Sequence, residues 1–274
     1  MNRYLCGAVS DIGCERELQE DFVQFRELDD DTIIGVVADG TGSRKEFPHP
    51  AAVVSMHVVD SIVSIYQEQK DLFLQAPEYF LKRAFLESNQ VLGAFKIGNE
   101  ELFSGYACSI ACCICRGGNQ IILAHSGNTR LYLMREGVLR QLTRDHTVAQ
   151  RLLDEGKIDI ETYHVIPDRL QMTSGIGILA EPEIQTMAGR LKENDLILLS
   201  TDGVHYALRP DAMSQIILES GNCNDGAQNL VSAAKDVVHY PDNMSCMIIY
   251  ERQLYNDGIS RRNGGSNLTG EYGA

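Results

Sequence analysis

Apolar residues along this chain change rhythm several times, and each change marks an element. Tyr4–Ser10 reads as a short strand, and Thr32–Ala38 as a β-branched strand ending at Asp39-Gly40. After Pro48 and Pro50 the period becomes helical. Val54, Val58, Ile62 and Tyr66 recur at i+4, with Val59 and Val63 beside them. A second helix follows Pro77, with Leu81, Phe85 and Leu92 on one face, Ala84 next to them, and Gly98-Asn99 closing it. Strands return over Ala107–Cys115, Gln120–Ala124 and Arg130–Met134, with a hairpin signal at Gly117-Gly118-Asn119 and a turn at Glu136-Gly137. Thr147–Glu155 reads as a helix capped by Gly156, and Gly175-Ile176-Gly177 as a bend. Leu196–Ser200 is a buried strand running into Thr201-Asp202-Gly203. Helices near Pro210–Glu219 and Asp225–Val238 precede a last strand, Ser245–Tyr250.

Two helices between early and middle strands, and two more near the end, suit an α+β sandwich better than a parallel βαβ array. With 274 residues, 44% of them hydrophobic, one large core is affordable. We expect a single domain over 1–252 and a disordered tail over 253–274, since Asn256–Ala274 is rich in Gly, Ser, Asn and Arg.

Charge narrows the partners. Lys and Arg total 24 against 38 Asp and Glu, a formal charge of −14, which disfavours nucleic acid and anionic lipid. No secretory pattern opens the chain and no apolar run is long enough for a bilayer, so a cytoplasmic protein with reduced thiols is expected. The eight Cys include Cys108, Cys112, Cys113 and Cys115. These fall in one strand, where neighbours point to opposite faces, so Cys112 and Cys113 are read as core fillers and not as zinc ligands. Scattered His125, His146, His164, His205 and His239 are read as structural or solvated. Asn267-Leu268-Thr269 fits a glycosylation acceptor that has no meaning in the cytoplasm.

The candidate chemistry lies where acidic residues follow or precede apolar strands: Glu20-Asp21, Asp39-Gly40, Asp202-Gly203 and Asp242-Asn243. Carboxylates at strand ends meet at the rim of a sheet, where several strands can aim oxygens at one point. Hard divalent cations want such oxygens, with carbonyls and water. Two ions a few ångströms apart lower the pKa of a shared water and neutralise a phosphoryl group. One Asp-Gly alone reads as a turn. Two strands running into Asp-Gly, with Glu-Asp and Asp-Asn at the flanks, read as a site.

These residues resemble the type 2C, metal-dependent, protein phosphatase family. Asp11, Gly13, Arg16, Gln19, Glu20 and Asp21 match its D-x-G-x-x-R-x-x-N-E-D opening, with Gln for Asn. Val36-Val37-Ala38-Asp39-Gly40-Thr41-Gly42 is similar to V-A-D-G-x-G-G, and Asn89 stands where the family has an Asn in its second helix. Ser126-Gly127-Asn128-Thr129-Arg130 is similar to G-D-S-R, and Leu142–Thr147 to L-T-x-D-H-S. Leu199–Gly203 is similar to L-x-S-D-G, and Asp242-Asn243-Met244-Ser245 to D-N-x-T. Order and spacing agree over Leu5–Glu251, and the compact length resembles the bacterial branch.

The resemblance implies a four-layer αββα sandwich, two antiparallel sheets flanked by helix pairs, with two Mn²⁺ or Mg²⁺ ions at one end. Asp39 would bridge the ions, Asp202 and Asp242 would complete one site, and Glu20 and the Gly40 carbonyl would serve the other. Asp21 would orient metal-bound water and Arg16 would hold the phosphate. The activity implied is hydrolysis of phosphoserine and phosphothreonine by a water bridging the ions. Phosphoproteins, Ser/Thr kinases among them, are the implied partners of a monomer. Asn128 replaces an Asp that helps relatives hold a third ion, which disfavours a third site. Tyr106 replaces a small hydroxyl residue, and either narrows the site or packs in the core. Thr41 stands where some relatives have a proton-donating His. The segment between Asp145 and Gly175, with His164, Pro167 and Arg169, resembles the family's variable flap beside the site. The departures at Tyr106 and Asn128 leave a second reading: a catalytically weak regulator that binds a kinase or phosphoprotein. A third takes the Asp-Gly pairs as turns in an acidic structural protein.

Overall fold

The computed structural model describes residues 3–167, 169–237 and 242–251. The expected tail over 253–274 and His239 lie outside them. In chain order the elements are β1 (Tyr4–Asp11), β2 (Asp21–Asp29), β3 (Thr32–Thr41), α1 (Pro50–Glu68), α2 (Lys70–Gln75), α3 (Pro77–Lys96), β4 (Ala107–Arg116) and β5 (Gln120–Ser126). They continue as β6 (Arg130–Arg135), β7 (Val138–Gln141), α4 (Val148–Asp154), α5 (Ile160–Val165), β8 (Gln185–Arg190), β9 (Leu196–Ser200), α6 (Asp202–His205), α7 (Pro210–Glu219), α8 (Cys223–Lys235) and β10 (Met244–Glu251).

The strands form two antiparallel five-stranded sheets, ordered β1-β10-β9-β6-β7 and β2-β3-β4-β5-β8. Three apolar layers hold the stack together. Strand alternation sends Ile34, Val36 and Ala38 of β3, and Cys108, Ile110 and Cys112 of β4, toward α1 and α3. The intervening Ile33 and Val37, with Ala111, Cys113 and Cys115, face the opposite sheet. β9 and β10 divide likewise. Leu196, Leu198, Cys246 and Ile248 pack under α7 and α8, while Ile197, Leu199, Met247 and Ile249 fill the space between sheets. Both faces of these strands are buried, which is why they read as continuous apolar runs. The result is the αββα sandwich, and Cys112 and Cys113 do project to opposite layers.

Pro50 occupies the first helical position of α1, and Val54, Val58, Ile62 and Tyr66 form its buried face. Leu81, Ala84, Phe85 and Leu92 do the same for α3. Gly118 (φ 76°) and Asn119 (φ 60°) make the β4–β5 hairpin, and Glu136 (φ 55°) and Gly137 (φ 77°) the β6–β7 hairpin. One expected boundary moves, and another gains a helical turn beyond it. β3 does not stop at Ala38, because Asp39 still pairs with Asp21 of β2 and Ser109 of β4. The run Leu196–Ser200 is β9 as expected, and the Thr201-Asp202-Gly203 that follows it enters the helical turn α6, which Asp202 opens.

Candidate active site

Eight strand termini meet at one end of the sandwich: the ends of β1, β3, β5 and β9 and the beginnings of β2, β4, β6 and β10. Asp21 and Asp39 are direct cross-strand partners, so their side chains share a face. The Glu20 carbonyl accepts a hydrogen bond from Gly40 N at 3.1 Å, and Glu20 Oε1 accepts one from Ser43 N at 3.0 Å. Asp202 comes in from the other sheet on the first turn of α6, and Asp242 from the residues leading into β10.

Uncharged side chains in the same motifs set this arrangement. Asn243 Oδ1 accepts from Glu20 N at 2.8 Å, while Asn243 Nδ2 donates to the Ile12 carbonyl at 2.8 Å and the Leu18 carbonyl at 3.0 Å. One amide therefore ties the Arg16-bearing loop and Glu20 to β10. Thr201 Oγ1 donates to Asp21 Oδ2 at 2.8 Å and accepts from Ser245 N at 2.9 Å. Ser109 Oγ accepts from Asn128 N and Thr129 N, fixing the loop from which Asn128 Nδ2 donates to Asp202 Oδ2 at 3.1 Å. Asn243 and Thr201 stood in the quoted motifs without a role, and Ser109 was not named from sequence. The signal was their position beside the carboxylates or, for Ser109, opposite Asp39.

Glycines allow the close approach. A Cβ on Gly203 would lie 2.0 Å from the Asn243 carbonyl oxygen, and one on Gly13 (φ 79°) 2.1 Å from that of Asp242. The glycine after Asp202 thus lets two backbones touch, bringing Asp202 and Asp242 to one cavity.

That cavity, about 150 Å³, is lined by Arg16, Glu20, Asp39, Asp202 and Asp242, with Asn128 and the side chains of Leu170 and Met172 among the rest. Among the described residues Arg16 is its one basic lining residue, with Nη2 2.8 Å from Asp242 Oδ1 and Nη1 3.8 Å from Glu20 Oε2. The expected ion-pair and phosphate-holding readings of Arg16 meet here, since it is paired yet 44% exposed at the cavity. Burial and neighbouring carboxylates hold Asp39 well above the usual carboxylate range. Burial likewise raises Asp21, against the hydrogen bond from Thr201, and burial with the Asp242 charge raises Asp202 to about 7. The negative charge concentrated here exceeds what Arg16 offsets among the described lining residues. Among the described residues no three His, Cys, Asp or Glu groups close tightly enough to hold a metal by themselves. The carboxylates stand around the cavity, Asp242 and Glu20 engaged by Arg16 and Asp202 by Asn128.

The remaining expectations sort clearly. Tyr106 is core: it is 1% exposed, packs on Phe95 and Phe103, and donates to the Pro48 carbonyl at 2.5 Å. Cys108, Cys112, Cys113 and Cys115 are all buried in β4. Asn89 caps a loop, bonding the Leu179 and Ala180 carbonyls and Gly177 N. His146 is buried, its Nδ1 accepting from Gly127 N at 3.2 Å. His125 and His205 are buried away from the cavity lining, and His164 is exposed on α5.

The αββα sandwich is the fold of solved serine/threonine phosphatases, and the acidic rim stands at one end of it. A family profile described as protein phosphatase 2C matches residues 15–234, and the chain belongs to that family. It is similar to the serine/threonine phosphatase stp of Listeria monocytogenes, 26% identical over 251 residues, which are 91% of this chain and 96% of that protein. The crystal structure of the serine/threonine phosphatase PstP/Ppp of Mycobacterium tuberculosis superposes with a TM-score of 0.75 at 25% identity, over 90% of this chain and 97% of that one. A structure of the PstP catalytic domain in complex with two manganese ions superposes with a TM-score of 0.71 at 25% identity, with the same coverage. No described helix is long and apolar enough to cross a membrane.

Proposed function

We propose that the chain dephosphorylates phosphoserine and phosphothreonine in proteins, using two Mn²⁺ or Mg²⁺ ions held by Glu20, Asp39, the Gly40 carbonyl, Asp202 and Asp242. The observation that carries this is a cavity into which two sheets bring four carboxylates, with a fifth, Asp21, buried behind them and one arginine for balance. Every donor is a hard oxygen, the set that Mg²⁺ and Mn²⁺ prefer over softer metals. Mg²⁺ commonly keeps several waters and takes only one or two carboxylates, so a spaced set suits it. Asn128 Oδ1, buried at the cavity without a hydrogen-bond partner, is a further oxygen of the same kind. The two manganese ions of the PstP structure support the same stoichiometry here.

Bound cations supply positive charge that neutralises phosphoryl oxygens and acidifies water. The chain's own residues supply position. Asp39, the cross-strand partner of Asp21, lines the same cavity as Glu20, Asp202 and Asp242 and would be shared by the two ions. Arg16, aligned by Asp242, keeps guanidinium donors at the cavity for a phosphate oxygen. Asp21, buried and fixed by Thr201, would orient water on the bound ions. Thr41 is a poor proton donor near neutral pH, so the leaving alkoxide takes its proton from solvent. Phosphoproteins, Ser/Thr kinases among them, are the proposed partners of a monomer in the cytoplasm.

The test is hydrolysis of p-nitrophenyl phosphate and of a phosphothreonine peptide with added Mn²⁺. Asp202→Asn removes a proposed ligand, and turnover should fall by orders of magnitude. A variant with near-normal rates overturns the assignment.

A further inference from the structure

β6 starts at the acidic rim and ends at the other end of its sheet, where it turns into β7. A groove of about 570 Å³ lies there, between the β6–β7 hairpin and α7. Val138, Leu139, Pro210 and Leu218 give it an apolar lining, with Asp211 and Glu219 exposed at its margin. Ser214 Oγ donates to the Gly137 carbonyl at 2.5 Å, which pins α7 to the hairpin and fixes the groove between them. Val138 is 52% exposed. β7 is also an outer strand, paired with β6 on one side and with no described strand on the other. Native sheets cover, charge or shorten such edges, and an apolar surface beside an open edge is a place for a further segment to bind.

The chain carries a segment of matching chemistry within reach. β10 ends at Glu251, at this same end of the sheet. Tyr250 pairs with Leu196 of β9, Leu196 with Met134 of β6, and Met134 with Leu139 of β7, one row across four strands. Three strand spacings make that row about 14 Å long, and an extended chain crosses it in about four residues. Residues 252–274, outside those described, hold Leu254, Tyr255 and Ile259 near their start, then Arg261 and Arg262. The segment has three arginines against one aspartate and one glutamate, and is positive in a chain of formal charge −14. Composition alone expects it to be disordered, but a polar segment with a few apolar residues orders on a surface that buries them. Asp211 has a competing partner in Arg209 at 3.5 Å, yet both side chains are largely exposed, and such a pair holds weakly.

We propose that the groove between β7 and α7 is the docking surface for the chain's own segment 254–262, with Tyr255 and Ile259 on its apolar lining and Arg261 and Arg262 toward Asp211 and Glu219. The acidic cavity lies at the opposite end, so this interaction stands apart from the phosphatase reading. A segment joined by a short connection meets its site at an effective concentration in the millimolar range, so an intrinsic affinity of only ~0.1 mM keeps it docked about ten times as often as free.

Limited trypsin digestion of the full chain tests this, with mass spectrometry reading the cuts after Arg261 and Arg262. The proteins are wild type, Val138→Glu in the groove and Ile259→Asp in the segment. Each rate is taken relative to that of a synthetic 252–274 peptide with the same segment sequence, which removes the protease's own preference. A docked site is cut only from its open state, so both variants should be cut about fivefold to tenfold faster than wild type. Ile259→Asp lies outside the described fold, so it reads docking even if Val138→Glu unfolds the chain. A wild-type rate equal to that of the free peptide, equal rates in wild type and Ile259→Asp, or protection unchanged in a folded Val138→Glu would overturn the proposal. Protection that rises with protein concentration would also overturn it, by making a second copy the occupant of the groove.

Discussion

Gly203→Ala tests whether close backbone contact assembles the acidic rim. An added Cβ would sit 2.0 Å from the Asn243 carbonyl oxygen and 3.0 Å from its carbon, where ordinary contact begins near 3.4 Å. The obstacle is backbone, not a side chain that can swing away, so α6 and the start of β10 must separate by more than an ångström. That parts Asp202 from Asp242. Overpacking of this kind costs about 1–3 kcal/mol, and a protein of this size loses roughly 2–4 °C in Tm for each kcal/mol. Misplacing catalytic groups by an ångström can cost about 100-fold in rate. Turnover with Mn²⁺ should therefore fall far more than the modest Tm shift explains. The control is Gly93→Ala in α3, whose added Cβ meets nothing within 4 Å. It should keep full activity and gain about 0.4–1 kcal/mol through a less flexible unfolded chain. A Gly203→Ala enzyme with wild-type turnover would refute the reasoning.

Arg130→Met leaves the buried Asp145 carboxylate unpaired and should destabilise by about 3–5 kcal/mol, measurable by urea unfolding; a change under about 0.5 kcal/mol would show that the pair is solvated. A pH effect follows from His125, held at about 3 by burial, and His205, also buried far below the usual histidine value. Both stay neutral in the fold and bind protons on unfolding, so their contribution is complete above about pH 6.5 and falls as pH drops through the window down to their folded values. Each contributes a slope of up to ~1.4 kcal/mol per pH unit. Asp202, raised to about 7, acts with the opposite sign in the metal-free protein. The difference between wild type and His205→Gln isolates one histidine: it should shrink on acidification from pH 6.5 to 5, and a pH-independent difference would contradict the assignment.

What could be read from sequence was what repeats locally. The i+4 face of α1, the unbroken apolar runs of β4, β9 and β10, and the spacing of acidic pairs all survive in the structure, because burial on one face of a helix leaves a period and burial on both faces of a strand leaves a continuous apolar run. β8 escaped notice since Gln185–Arg190 is an edge strand with largely exposed residues, Ala and Gly among them, and carries little apolar pattern. α2 and α5 are six residues each, too short for a period to show. The continuation of β3 through Asp39 depends on partners 18 and 70 residues away. The acidic residues of the rim were legible, but the groups that hold them were less so. Asn243, Thr201 and Ser109 act through bonds to distant backbone and, for Thr201, to the Asp21 carboxylate, and the Arg130–Asp145–Tyr206 cluster joins segments that share no local signal.

The central claim is that carboxylates from both sheets hold two divalent cations in one cavity. Anomalous diffraction from a crystal grown with Mn²⁺ tests it most directly. Two peaks are expected among Glu20, Asp39, Asp202 and Asp242, with the Asp39 carboxylate between them. A metal-saturated, active crystal with no anomalous signal in that cavity, or with its ions bound elsewhere, would contradict it.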